Sequence, residues 1–475
     1  MRCPDPAVEG LTVHRRQNQT IARTWRGQVA HLSAPLLVIG FGAACGPERL
    51  PDVIGPMSPL EVEAELDVLA NRDLWPEFDL QAIPLAIHDG RWTWLFRHPA
   101  PPEGFRPAEF DAGAHIYDGR HPAVTANTVA EIGGVWTAVL MSSAMERSLQ
   151  SAVGTAVHEA FHAFQRDRHP RWVGDEMEFF RHPLDDAELL ALRRLEDEAL
   201  RRALAAGETA GSQCWTRTAL EIRSERTGRM PAGAASYERG NELNEGLARY
   251  VERRAVGHDP DWTLIDHPAE AVRLRSYDSG YALARLLDRF APGWRHVLQS
   301  RSDFSLDELL AQSVSDEDRH VGCRFEAGER EALRVAAETE VEAIVREREE
   351  ARRGFFQREG WQLVVSASQA PLSPRFDPHN LRVLGPHEVL HERILLLDGA
   401  AGTVEVTDLP SMSVGFGEHP LADGVREVVV TGLDAAPEIV EEGGRVTVRA
   451  PGVTVELTGA VVEVDERVIR IRVGE

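Results

Sequence analysis

Apolar residues recur with two different periods along this chain, and the change of period divides it. From about 144 to 350 they return every three or four positions, as Met145, Leu149, Val153, Val157, Phe161 and Phe164 do, which is the signature of amphipathic helix. Segments of the same kind lie at 185–205, 212–228, 236–255, 278–290 and 326–352, the last rich in charge and closed by Gly354. Beyond about 356 the period falls to two, clearest around Val446, Val453, Val461 and Val468, with Gly-Gly, Pro-Gly and Asp-Glu turns between the runs. That pattern predicts a C-terminal β-sandwich or barrel over 356–475. Ahead of the helical stretch, one helix at 58–71 and short apolar runs at 82–87, 92–96 and 133–140 predict a small α/β front lobe over 58–143. The expected class is α+β: the front lobe and a mainly helical lobe at 144–355 within one unit over 46–355, then the β-rich end.

The first 45 residues carry a different signal. An apolar run at 35–44 follows arginines at 15, 16, 23 and 26; it is too short to span a bilayer and suits the core of a signal peptide. It runs into Ala43-Ala44-Cys45-Gly46, which resembles a bacterial lipobox except that Gly42 replaces the usual leucine. The expectation is a leader over 1–45, with export to a bacterial cell envelope or secretion and a lipid anchor at Cys45. A buried strand or short helix of a cytoplasmic protein is the alternative.

Composition narrows the class of partner. A net charge of -24 repels phosphate backbones and anionic lipid, so nucleic acid is not expected as a partner. All 52 basic residues are arginine, which codon usage in a GC-rich genome explains without any functional appeal. Cys3, Cys45, Cys214 and Cys323 show no C-x-x-C spacing, and a Cys214–Cys323 bridge is compatible with the sequence but not argued for by it.

The chemistry is concentrated in His158-Glu159-Ala160-Phe161-His162. Residues four apart share a helix face, so both imidazoles can aim at one ion with Glu159 beside them, and the two histidines lie off the Val153/Val157/Phe161/Phe164 stripe. A catalytic zinc takes three protein ligands and leaves one position for water, so a third ligand has to come from elsewhere. Metzincins place a histidine six residues after the second; here that position is Arg168, with Gln165 where their glycine stands and His169 one residue out of register. A second candidate is the helical run Asn241-Glu242-Leu243-Asn244-Glu245-Gly246-Leu247-Ala248-Arg249-Tyr250, which puts Glu242 and Glu245 on nearly the same face. One of the two is expected to face the ion.

Here the chain resembles the gluzincin metallopeptidases, in particular the membrane alanyl aminopeptidase-like family, which pairs H-E-x-x-H with a downstream L-N-E-G-[FL]-A-x-Y helix. Residues 243–250 match that helix, and Tyr277-Asp278-Ser279-Gly280 is similar to the family's Y-x-x-G. The resemblance covers roughly 130–300. It implies a zincin-type lobe with Zn2+ held by His158, His162 and Glu245, Glu242 as a neighbour supporting a ligand histidine, and Tyr277 stabilising the oxyanion, with Tyr281 as its rival. Two departures stand out. The stretch between His162 and Glu245 is far longer than the family's, which reads as inserted helices. The Gly-x-Met-Glu-Asn segment that anchors a substrate amine is missing, and Gly133-Gly134-Val135-Trp136-Thr137-Ala138 stands near its place. That strand is expected to pair with an extended substrate by β-addition.

The expected activity is hydrolysis of peptide bonds by a zinc-activated water with Glu159 as general base. The expected partner is a peptide or protein, cleaved internally or from its end. The alternatives are a non-catalytic zinc-binding module of the same fold and a zinc hydrolase acting on a non-peptide bond.

Overall fold

The computed structural model describes residues 57–474 apart from 110, 260, 261, 302, 315–322, 368 and 418, and the side chains of 111 and 112. The leader, its apolar run and the Cys45 anchor therefore lie outside the described residues. The protein is α+β, and its described residues divide into two units, 57–351 and 352–474, the boundary falling inside the last long helix.

The first unit opens with α1 (Pro59–Leu69), started by a capping box in which Ser58 and Glu61 satisfy each other's backbone and by Pro59 at the first helical position. A six-stranded sheet follows: β1 (Leu85–His88), β2 (Trp92–Phe96), β3 (Arg106–Ala108), β4 (Asp111–Asp118), β5 (Thr128–Ile132) and β6 (Val135–Leu140). Its order is β3-β4-β2-β1-β6-β5, antiparallel except for the β1/β6 pair. Gly133 and Gly134, with φ of 56° and 81°, make the two-residue turn that joins β5 to β6. β6 is paired with β5 along Val135–Val139 but with β1 only at Ala138–Leu140, so among the described strands Val135–Thr137 have a partner strand on one side alone.

The helical lobe begins at α2 (Leu149–Arg168), where Ser148 Oγ accepts from the Ser151 amide and Arg166 and Arg168 occupy the last turn. Met145 sits in a separate one-turn helix, so the apolar stripe of α2 starts four residues later than the periodicity suggests. Val153, Val157, Phe161 and Phe164 enter the main core, where the Phe161 ring meets Trp75 at 5.5 Å and Phe78 at 5.4 Å, edge to face. That burial fixes which way α2 is turned and leaves its histidines on another face. There follow α3 (Ala187–Ala205), α4 (Thr209–Arg229), α5 (Ala232–Asn241), a π-helical turn (Glu242–Gly246), α6 (Leu247–Val256), α7 (Val272–Phe290), α8 (Leu306–Ser313) and α9 (Ala327–Phe356). Cys214 on α4 is bridged to Cys323. Among the described residues no helix is long and apolar enough to cross a membrane.

The second unit is a sandwich of a seven-stranded and a six-stranded sheet. Alternating residues from both, among them Leu363, Val430 and Ile471 from one and Leu395, Val404 and Val455 from the other, fill a single core. His391 is fully buried there with Nε2 2.8 Å from Ser413 Oγ, and burial pushes its pKa down to about 3. A ring whose folded pKa lies below its unfolded value of 6.5 favours the folded state fully above that value, and this contribution shrinks as pH falls from 6.5 towards 3. By pH 5 the unit is expected to have lost about 2 kcal/mol from this source. The check is the proton–carbon resonance of the His391 ring, which should stay neutral to below about pH 4; a ring titrating near its ordinary value would contradict it.

Candidate metal centre

The rotation of α2 set by Phe161 brings His158 and His162 together, with Nε2 atoms 3.1 Å apart. Glu245 arrives from the π-helical turn, its Oε2 3.1 Å from His162 Nε2 and 3.5 Å from His158 Nε2. One ligand atom from each of the three residues lies within 4.8 Å of the others, and all three side chains are buried.

The outer atoms of these residues are committed elsewhere. Gln165, one turn on from His162, donates its amide hydrogens to Leu243 O and Asn244 O, so its oxygen must accept from His162 Nδ1, at 2.8 Å. That leaves the lone pair of His162 on Nε2. Glu252 on α6 faces His158 Nδ1 at 3.3 Å, so in the neutral form of that ring the proton sits on Nδ1 and the lone pair on Nε2. The second oxygen of Glu245 accepts from Arg273 Nη2 at 2.7 Å, and Arg273 also donates to Glu176 at 2.6 Å. Two imidazole lone pairs and a carboxylate oxygen thus converge on one point.

Atoms so arranged repel unless positive charge lies among them. The electrostatics show that demand in proton form: burial disfavours a charged His158, yet Glu245, Glu252 and Glu159 outweigh it and push its pKa up to about 10. Burial likewise opposes ionisation of Glu245, but His162, His158 and Arg273 hold its carboxyl well below the usual carboxylate range. The donor set of two imidazoles and one carboxylate, each oriented by a hydrogen-bonding or charged neighbour, fits a zinc ion.

Glu159 is 5 % exposed, and among the described residues no hydrogen bond or ion pair holds its carboxylate. Burial raises its pKa, against the pull of His158 and His162. Tyr277 on α7 lies parallel to the His158 ring at 5.8 Å, and burial together with the negative charge of Glu245 raises its pKa well above the phenol value. Tyr281 is elsewhere, buried against Trp262 with its hydroxyl 2.9 Å from His258 Nδ1. His169 is also elsewhere, stacked on Trp172 at 3.7 Å.

Glu242 departs from expectation. It supports neither ligand histidine; its carboxylate binds Arg223 Nη2 at 2.5 Å and Ser279 Oγ at 2.6 Å. The supporting roles fall instead to Gln165, Glu252 and Arg273, none of which the sequence assigned to the site. Helical spacing carried a signal for each: Gln165 is one turn from His162, Glu252 two turns from Glu245, and Arg273 one turn before Tyr277. Comparison of the chain with protein families, curated proteins and solved structures finds no match.

Proposed function

We propose that the protein is a zinc-dependent metallopeptidase of gluzincin type, exported to a bacterial cell envelope or secreted. The observation that carries this reading is the convergence of His158 Nε2, His162 Nε2 and Glu245 Oε2 beside an uncommitted Glu159. When bound, zinc supplies a Lewis acid that brings the pKa of a water down to about 7. Glu159 takes the proton of the attacking water and returns it to the leaving amine, and its carboxylate is free of other partners among the described residues. Tyr277, which keeps its proton at neutral pH, is in this reading the donor of a hydrogen bond to the developing oxyanion. Arg273 pins the second oxygen of Glu245 and so keeps the first directed at the histidines. Export is supported by the Cys214–Cys323 bridge, since such bonds persist in oxidising compartments.

The test is metal content and cleavage measured together on the full chain. The wild type is expected to hold one zinc after dialysis and to digest a peptide library, with a chelator stopping digestion and added zinc restoring it. Glu245→Ala is expected to lose the metal on the same dialysis. Zinc retained by Glu245→Ala would remove that residue from the ligand set, and a zinc-loaded wild type that leaves every peptide intact would remove the peptidase assignment.

A further inference from the structure

The run that supplies Glu245 contains a second buried carboxylate whose role the hydrolytic reading does not use. Glu242 and Glu245 are three residues apart, yet their side chains go to different places: Glu245 to the histidines, Glu242 to Arg223. The chain between them is wound as a π-helical turn, a wider coil than the α-helices on either side and one that persists where surrounding structure holds it.

Three contacts hold it here. The Arg223–Glu242 pair is 2 % and 1 % exposed, and Arg223 is further flanked by Glu196 at 3.4 Å and Asp307 at 3.5 Å. Ser279 on α7 donates to Glu242 Oε1 at 2.6 Å. Gly246 and Gly280 face each other so closely that a Cβ on Gly246 would lie 2.6 Å from Gly280 Cα, and one on Gly280 2.8 Å from the Glu242 carbonyl oxygen. The absence of side chains at both positions lets α7, which carries Tyr277, lie directly on the turn that carries Glu245.

A buried ion pair adds little net stability over apolar packing of the same shape, so its value lies in the geometry it selects. We propose that Glu242, Arg223 and Ser279, with the Gly246/Gly280 contact, are positioning residues for the metal-binding carboxylate: they lock the π-helical turn and thereby aim Glu245 at His158 and His162. The proposal rests on the metal-site reading above. Outer residues that orient metal ligands change metal affinity by about 10- to 100-fold when altered, and the same scale is expected here.

The experiment uses the full chain as wild type, Glu242→Gln and Ser279→Ala. Each protein is assayed for zinc affinity by competition with a chromogenic chelator, for the visible absorption of its cobalt(II) form, and for the unfolding midpoint of its metal-free form. Glu242→Gln is expected to bind zinc about 10- to 100-fold more weakly and to shift the cobalt bands; its metal-free midpoint is expected to fall, because buried Arg223 loses a charged partner, so affinity and bands are read at a temperature where the variant stays folded. Ser279→Ala, which keeps the ion pair and removes one hydrogen bond, is expected to change both readouts in the same sense by a smaller factor, and it decides the matter if Glu242→Gln does not fold. Wild-type zinc affinity and cobalt bands in the folded variants would overturn the positioning role. Failure of the wild type itself to take up zinc or cobalt would instead overturn the metal-site reading and the positioning role with it.

Discussion

Glu159→Gln is expected to keep its zinc and to lose turnover by about 10²- to 10⁴-fold, the range that a positioned general base contributes. The substitution preserves shape and removes only the ability to accept a proton. Glu159 is buried and not one of the three converging ligands, and no hydrogen bond or ion pair among the described residues depends on its charge. Metal content and unfolding midpoint should therefore match the wild type. Burial raises the pKa of Glu159 against the pull of the neighbouring imidazoles. Zinc analysis and initial rates on the same preparation check the prediction. Full activity would exclude Glu159 as the base, and loss of zinc would mean that its charge helps to hold the ion.

Periodicity anticipated the helices of the middle region because each buries one stripe, and the stripe survives in the sequence whatever the helix packs against. It also placed His158 and His162 on one face, since four-residue spacing translates directly into proximity on a helix. Proximity between distant segments is a different matter. That Glu245 rather than Glu242 meets the histidines was implied by the resemblance of 243–250 and not by spacing, since no local pattern announces the π-helical turn that carries both. The roles of Glu252 and Arg273 likewise depend on how α6 and α7 are rotated against α2, which is settled by packing of apolar faces and by Gly154, where a Cβ would sit 3.3 Å from the Glu252 side chain. In the second unit the alternation marks strands well, but sandwich and barrel share that alternation; only the pairing of strands into two sheets around one core separates them. For a related reason the residues of 133–138 do not say which of their sides is paired; the strand register does, with β5 along Val135–Val139 and β1 only from Ala138 on.

Arg275→Met is expected to cost about 3–5 kcal/mol of stability near neutral pH, the price of breaking a buried ion network by removing one partner. Arg275 is 1 % exposed; its Nε and Nη2 donate to Asp197 at 2.9 and 2.7 Å, and Nη2 also donates to Glu196 at 2.7 Å. Glu196 is shared with Arg226, which in turn holds Glu238 at 2.7 Å, so that α3, α4, α5 and α7 are joined through one set of charges. Methionine fills the volume but leaves Glu196 and Asp197 with less compensation in a site that water does not reach. The same network sets the acid limit of the fold. Burial opposes ionisation of Glu196, yet Arg226, Arg275 and Arg223 overcome it and bring its pKa down to about 2, while Glu238 is held well below the ordinary carboxylate range mainly by Arg226 against its own burial. Carboxyls whose folded pKa lies below the unfolded value of 4.5 contribute fully above that pH, and their contribution is lost as pH falls from 4.5 towards 2. With Arg275 gone the pKa of Glu196 rises, so acid unfolding of Arg275→Met should begin at a higher pH than in the wild type. Urea unfolding at neutral pH and an acid titration of circular dichroism measure the two effects; a loss under about 1 kcal/mol with an unchanged acid midpoint would show that the remaining arginines suffice to hold Glu196 and Asp197 ionised.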